Sequence, residues 1–305
     1  MKTITRTIIP PPVDKAQRKN LKLNIGCGRR FHEDWVNIDL RSQHKQVIEC
    51  DVTQGLPFSA DIFEAVYHSH VLEHLVPDEG KKLVKECFRV LQPGGILRIV
   101  IPDLERIARL YLQSHRSAWD GNEAAIARYT WIKLEMLDQM VRQQSGGMMG
   151  QYMAALDRQR EYFVRSRIGA ELDYCRAPKE LTTEVATKKN PPTTLSWRER
   201  FCRKLIRILL GAKFLTAFNE ALFRKDGEIH RWMYDRFSLR QLCADVGFVD
   251  FRCCSASESS IENFVEYRLD SENDRVFKPD SLFVECRKPV KNQAANPVSD
   301  FRRAV

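Results

Sequence analysis

The chain has 305 residues, 43% of them hydrophobic and 29% charged, and a net charge of +9. That is enough chain to bury a full core as one large domain, or one domain with a lid, and the composition is that of a soluble globular protein. The charge is local. Between Lys188 and Arg240 there are 13 Lys/Arg against 5 Asp/Glu, so a basic partner surface belongs to that segment and general nucleic-acid binding is not implied.

Nine cysteines (27, 50, 87, 175, 202, 243, 253, 254 and 286) are scattered without a CxxC pair. An odd count, partly in apolar runs, predicts reduced thiols in a cytoplasmic protein. Neither Cys253-Cys254 nor the histidines have zinc-ligand spacing, so no metal is expected. The opening "MKTITRTIIPPPVDKAQRKN" lacks the apolar core and cleavage site of a secretory signal and reads as a loose arm over 1–20. No run approaches the roughly eighteen apolar residues of a spanning helix.

In chain order, "LKLNIG" (21–26) and "WVNIDL" (35–40) read as buried strands, followed by "QVIECDV" (46–52) and "FEAVYHSHV" (63–71). The segment "DEGKKLVKECFRVL" (78–91) places Leu83, Val84, Cys87, Val90 and Leu91 at helical spacing. "QPGG" then turns the chain into "ILRIVIPDL" (96–104), a continuous apolar run suited to the middle of a parallel sheet. Strands fed by glycine turns, with one crossover helix, predict a doubly wound α/β sheet. From 105 to 228 the pattern is helical, broken by Gly146-Gly147 and by the polar linker "APKELTTEVATKKNPPTT". A β/α pattern returns with a helix at 238–248 and strands at 249–255 and 280–289. The predicted division is therefore 1–20, 21–104, 105–228, 229–290 and a tail at 291–305.

Chemistry concentrates in the first hundred residues. Gly26 and Gly28 give backbone room at a strand end, and Cys27 between them adds little bulk. Asp39 ends the second strand, where a carboxylate can take both hydroxyls of a ribose. Asp51 ends the third, where it can meet an adenine amino group. Ser69, His70 and the rest of "SHVLEHL" end the fourth, at the rim of the crevice where open α/β sheets bind ligands. Asp39 follows Gly28 by only eleven residues. That leaves room for about one helical turn instead of the long helix whose N-terminus holds a pyrophosphate. A third glycine in a GxGxxG frame is also missing. A phosphate-free adenosine cofactor fits this spacing better than a dinucleotide.

Taken together, "LNIGCG…WVNIDL…CDV…LPF…VYHSHVLEHL…ECFRVLQPGGILRIVIPDL" resembles the class I S-adenosylmethionine-dependent methyltransferases, and within them a bacterial group associated with polysaccharide and cell-surface biosynthesis. The likeness covers about 21–104 and resumes at "HRWMYDRFSLRQLCADVGF" and "YRLDSENDRVFKPDSLFVECRKP". It implies a Rossmann-like, mostly parallel sheet with a large helical insertion before the last strands, and S-adenosylmethionine as cofactor. In that reading Gly26 and Gly28 border the methionine moiety, Asp39 takes the ribose, Asp51 lies near adenine, and Ser69 and His70 line the sulfonium side. The curtailed first helix and Arg29 after Gly28 depart from the common pattern.

Methyl transfer to an alcohol requires alignment and loss of a proton, which suits a histidine. His70, His74 and His230 are the candidates, each set against a packing or capping role, with Tyr234 and Asp235 secondary. No [N/D]-P-P-[Y/F] follows the fourth strand, which disfavours base-amine methylation, and no Pro-Cys pair suits attack on a pyrimidine. The expected acceptor is a hydroxyl on a saccharide or related small precursor. A non-catalytic cofactor-binding scaffold and an RNA ribose methyltransferase are the alternatives. Finally, "SWRERFCRKLIRILLGAKFLTAF" (196–218) repeats apolar residues at three- and four-residue spacing among arginines and lysines. Residues 195–218 suit either an anionic membrane surface or a lid helix packed on the domain.

Overall fold

A computed structural model of the chain describes residues 20–42, 44–176, 197–225 and 227–290. The predicted tail and polar linker, and nearly all of the predicted arm, lie outside these residues. The described chain forms two units: one holds the residues through Glu105, Trp232–Val276 and those from Asp280 on, the other holds Arg106–Arg231 with 277–279.

The first unit begins with β1 (Lys22–Ile25), β2 (Trp35–Asp39), β3 (Val47–Glu49), β4 (Phe63–Ser69), α1 (Pro77–Val90) and β5 (Leu91–Pro102). The predicted third strand is cut to three residues because Asp51 caps a 3-10 turn at Val52–Gln54. The glycine turn expected at "QPGG" is absorbed into β5, whose pairing with β4 shifts register between Phe63 and Ala65 while Gly94 takes φ +84°.

The second unit carries α2 (Leu104–Trp119, its first residues in the first unit), α3 (Glu123–Val141), α4 (Gly147–Ala154), α5 (Arg158–Ile168), α6 (Glu171–Arg176), α7 (Trp197–Leu210) and α8 (Ala212–Lys225). Its interior holds Trp131 and a buried ion pair, Arg167 Nη2 to Glu135 Oε2 at 2.8 Å. The Met-rich junction around Gly146 is tied down. Asp138 accepts from the N–H groups of Met148 (2.8 Å) and Met149 (3.3 Å), and Glu228 accepts from that of Gly146 (2.8 Å).

The chain returns to the first unit with α9 (Arg236–Val246), β6 (Val249–Cys254), the ribbon β7 (Ser271–Glu272) and β8 (Arg275–Val276), and β9 (Ser281–Arg287). The sheet order is β3-β2-β1-β4-β5-β9-β6. Strands β1 to β5 pair in parallel, and β9 runs antiparallel to both β5 and β6. This is a mostly parallel, Rossmann-like α/β sheet.

One face of the sheet buries Leu23, Ile25, Val66, Leu97 and Ile99 against Leu83, Val84 and Cys87 of α1 and Leu239 and Cys243 of α9. The opposite face, with Trp35, Tyr67, Val100 and Phe283, is covered by Ile261, Phe264 and Leu269. At roughly 1.5–3 kcal/mol for each large apolar side chain taken out of water, the two layers carry the sheet from both sides. Arg98 is fully buried within the second layer. It reaches Asp270 Oδ2 at 2.8 Å and Glu285 Oε1 at 2.9 Å, and stacks 4.4 Å from the centre of the Phe264 ring. Tyr67 donates to the other oxygen of Asp270 at 2.6 Å.

Candidate active site

The strand order reverses between β1 and β4, so their carboxyl ends border the crevice where such sheets bind ligands. Gly26 leaves β1 at φ +63°, and a Cβ there would lie 2.3 Å from Val71 Cγ2; only glycine permits this approach of the two strand ends. Gly28, at φ +54°, has nothing within 4 Å of where its Cβ would stand. The backbone here is an open cradle.

Asp39 faces that cradle. Its Oδ2 accepts the Gly28 N–H at 2.7 Å and its Oδ1 accepts the Arg41 N–H at 3.3 Å. Cys27 is buried beside it, and burial, reinforced by the Asp39 carboxylate, pushes its thiol up to about 12. It remains a neutral filler at physiological pH. The helical turn expected between Gly28 and Trp35 is absent. Asn24 and Asn37 replace it: paired across β1 and β2 and both buried, they bond each other at 3.1 Å and take up the carbonyls of Arg30 (3.0 Å) and His32 (2.8 Å). Buried amides that satisfy loop carbonyls hold a connection that has no helix of its own.

Asp51 is exposed, and its Oδ1 accepts from Thr53 N at 3.0 Å and from Thr53 Oγ1 at 2.7 Å. It thus caps the 3-10 turn that follows. Ser69 closes β4, half-buried.

His70 comes next, in the left-handed region at φ +55°, where non-glycine residues are uncommon and cluster at functional sites. Its Nδ1 lies 2.8 Å from Oε1 of the fully buried Glu73, and its Nε2 2.9 Å from Ser281 Oγ. The ring is therefore oriented from both sides, as a carboxylate orients a working imidazole. His74, half-buried, ends the 3-10 turn Leu72–His74.

Beneath them His68 is fully buried, and among the described residues neither ring nitrogen has a hydrogen-bond partner. Burial lowers its pKa to about 4, with the Glu73 charge pulling the other way. Tyr234 is buried, its hydroxyl pushed up to about 12 by burial and by Glu73. Asp235 caps α9, accepting from Ser238 N at 2.8 Å. His230 belongs to the second unit, buried, with its N–H on Gln139 O at 3.0 Å and its Nε2 2.9 Å from Gln139 Nε2.

The crevice of the first unit thus brings together Gly26, Cys27, Gly28, Asp39, Ser69 and His70. Glu73, a candidate from the sequence together with His74, sits three residues after His70, and its pairing with that ring is what the sequence does not show. One contributor escapes sequence reasoning altogether. Ser281 opens β9 with no motif around it and reaches the site only because β9 pairs Ser281 with Pro102 at the end of β5.

Comparison with known proteins falls on this region. Residues 23–99 match the family model described as a methyltransferase domain. The open cradle over Gly28 and the strand-end carboxylate of Asp39 fit an adenosine and amino-acid ligand without phosphates.

No curated protein matches the chain. Among solved structures, a SAM-dependent methyltransferase from Archaeoglobus fulgidus is 12% identical, with 88% of this chain and 86% of that one covered and a TM-score of 0.35. A possible histamine N-methyltransferase from Thermotoga maritima is 11% identical over 88% and 83%, at 0.34. The Burkholderia thailandensis 1,6-didemethyltoxoflavin-N1-methyltransferase, solved with its substrate and S-adenosylhomocysteine, is 19% identical over 27% and 45%, at 0.23. Likenesses this distant say nothing about the acceptor.

Proposed function

We propose that the protein transfers a methyl group from S-adenosylmethionine to an acceptor hydroxyl on a saccharide precursor, with His70 as the general base. When bound, the cofactor supplies an electrophilic methyl group on a sulfonium. Gly26 and Gly28 border the methionine end, and Asp39 takes the ribose hydroxyls, trading its bond to the Gly28 N–H. Asp51 lies toward adenine and Ser69 along the sulfonium side.

The observation that carries the reading is the clamp on His70. Its Nδ1 lies against the Glu73 carboxylate at 2.8 Å, and its Nε2 faces a hydroxyl, that of Ser281, at 2.9 Å. An acceptor hydroxyl that takes this place is within reach for proton loss. Glu73 positions the ring and stabilises the imidazolium that forms. The saccharide assignment is supported by the sequence resemblance alone.

His70→Asn is the informative variant, because asparagine tolerates the left-handed backbone. Calorimetric titration with S-adenosylhomocysteine should show affinity close to wild type. Turnover with saccharide acceptors should fall by about 10²–10⁴-fold. Full turnover in the variant removes His70 from the chemistry and makes His230 and His74 the next residues to change.

A further inference from the structure

The strongest feature outside the crevice is the pair α7–α8. Gly211, at φ +87°, ends α7 with its N–H on Arg207 O and lets the chain turn directly into α8. Among the described residues of the two helices, 200–210 and 212–225, none is buried. A lid helix whose apolar stripe packs on a domain would bury that stripe, and this one does not: Phe201 is 56% exposed, Ile208 67% and Leu209 74%, with Leu205 also exposed.

At 3.6 residues per turn these four side chains fall within one arc of α7, and Arg200, Lys204 and Arg207, all exposed, line one flank of it. Residues 197–225 carry eight Lys/Arg against two Asp/Glu.

From this arrangement we infer that α7–α8 is a docking surface for an anionic lipid bilayer. A continuous stripe of large exposed apolar side chains marks an interaction surface, and the charge beside it selects the partner. Basic side chains next to an apolar stripe place their aliphatic stems over acyl chains and their charged ends among anionic headgroups. A basic protein partner would meet repulsion at the same flank, and a neutral one would leave the charge unused. The helix lies in the interface and does not cross it: no helix among the described residues is long and apolar enough to span a membrane. The inference does not rest on the methyl-transfer reading, although a surface-bound enzyme would meet lipid-linked acceptors in two dimensions.

Co-sedimentation of the full chain with vesicles of equal parts phosphatidylcholine and phosphatidylglycerol tests it. Binding is expected to the mixed vesicles and not to phosphatidylcholine alone, and it should weaken as salt is raised. Ile208→Asp with Leu209→Asp should lower the partition by about tenfold or more, because the insertion is lost. Arg200→Glu with Lys204→Glu should do the same through the headgroup attraction. All four side chains are exposed, so neither pair removes a core contact. No binding to mixed vesicles, or binding unchanged in both double variants, overturns the inference. So does a wild-type dimer in sedimentation equilibrium that the Asp pair dissociates, which would assign the stripe to a second copy of the chain. Affinity for S-adenosylhomocysteine, measured in parallel, should match wild type in both variants, so loss of membrane binding and loss of cofactor binding are read separately.

Discussion

Three residues of the crevice respond to substitution for different physical reasons. Asp39 holds the Gly28 N–H and faces the cradle, so Asp39→Ala removes a charged acceptor from both the loop and the ribose. Affinity for S-adenosylhomocysteine should fall by about 1.5–3 kcal/mol, as for a lost charged hydrogen bond; unchanged affinity in a titration would exclude Asp39 from the site. Ser281 should be mild by contrast, since its hydroxyl only occupies the position that an acceptor would take.

His68 acts through stability. Its folded pKa is about 4 against an ordinary 6.5. Between those values the unfolded chain binds a proton that the folded chain refuses. The contribution of neutral His68 is therefore complete above pH 6.5 and is lost as pH falls toward 4, amounting to about 3 kcal/mol over that window. His68→Leu removes this titration, so urea unfolding of the variant between pH 6.5 and 4 should lose less stability than wild type. Parallel acid limbs would show that His68 does not set the slope.

At the scale of elements, the connection between β1 and β2 decides whether the site exists. A parallel pair usually needs a long crossover, yet residues 26–34 make this one without a helix. Asn24 and Asn37 hold it by their side-chain amides. Asn37→Leu removes the amide donor to the carbonyls of His32 and Trp35, which it serves at 2.8 Å each, and the partner of the buried Asn24 amide, and should cost about 1–3 kcal/mol for buried polar groups left short of a partner. Cofactor affinity should fall with it, because the same loop carries Gly28. Retained stability in denaturant titration would show that the loop holds itself.

Legibility from sequence follows the same physics. Gly26, Gly28 and Asp39 are readable because each sits next to the strand that presents it, and spacing alone disfavours a pyrophosphate ligand. The missing helical turn was not readable, since nothing marks Asn24 and Asn37 as partners until β1 and β2 pair in register. The contact between His70 and Ser281 joins residues 211 apart, and only the antiparallel return of β9 beside β5 creates it. Exposure of the α7 stripe was likewise undecidable, because amphipathic spacing is identical for a packed helix and a surface-bound one.

On the scale of the whole molecule, the matched segment 23–99 cannot be the folding unit of its own sheet. It ends inside β5, and the apolar run 96–102 that looks central becomes central only when β9 covers its far edge. Arg98 makes that dependence explicit. Its guanidinium is fully buried, and the carboxylates that meet it, Asp270 and Glu285, lie 172 and 187 residues further along. Serine and alanine carbonyls at 255 and 256 close around the same group. A buried cation without partners is strongly unfavourable, and so are buried anions without their cation. Arg98→Leu leaves the buried Asp270 without its cation, while Glu285 keeps Arg252 at 2.7 Å, and should lower stability by about 3–5 kcal/mol, a large fraction of the margin of an ordinary domain. A chain ending at residue 105 has the opposite defect, an arginine in the sheet with no carboxylates and an open β5 edge, and should be recovered only as aggregate. If that fragment instead gave a soluble, cooperative unfolding transition, the late strands would be an addition to a finished fold rather than part of the sheet that positions His70 against Ser281.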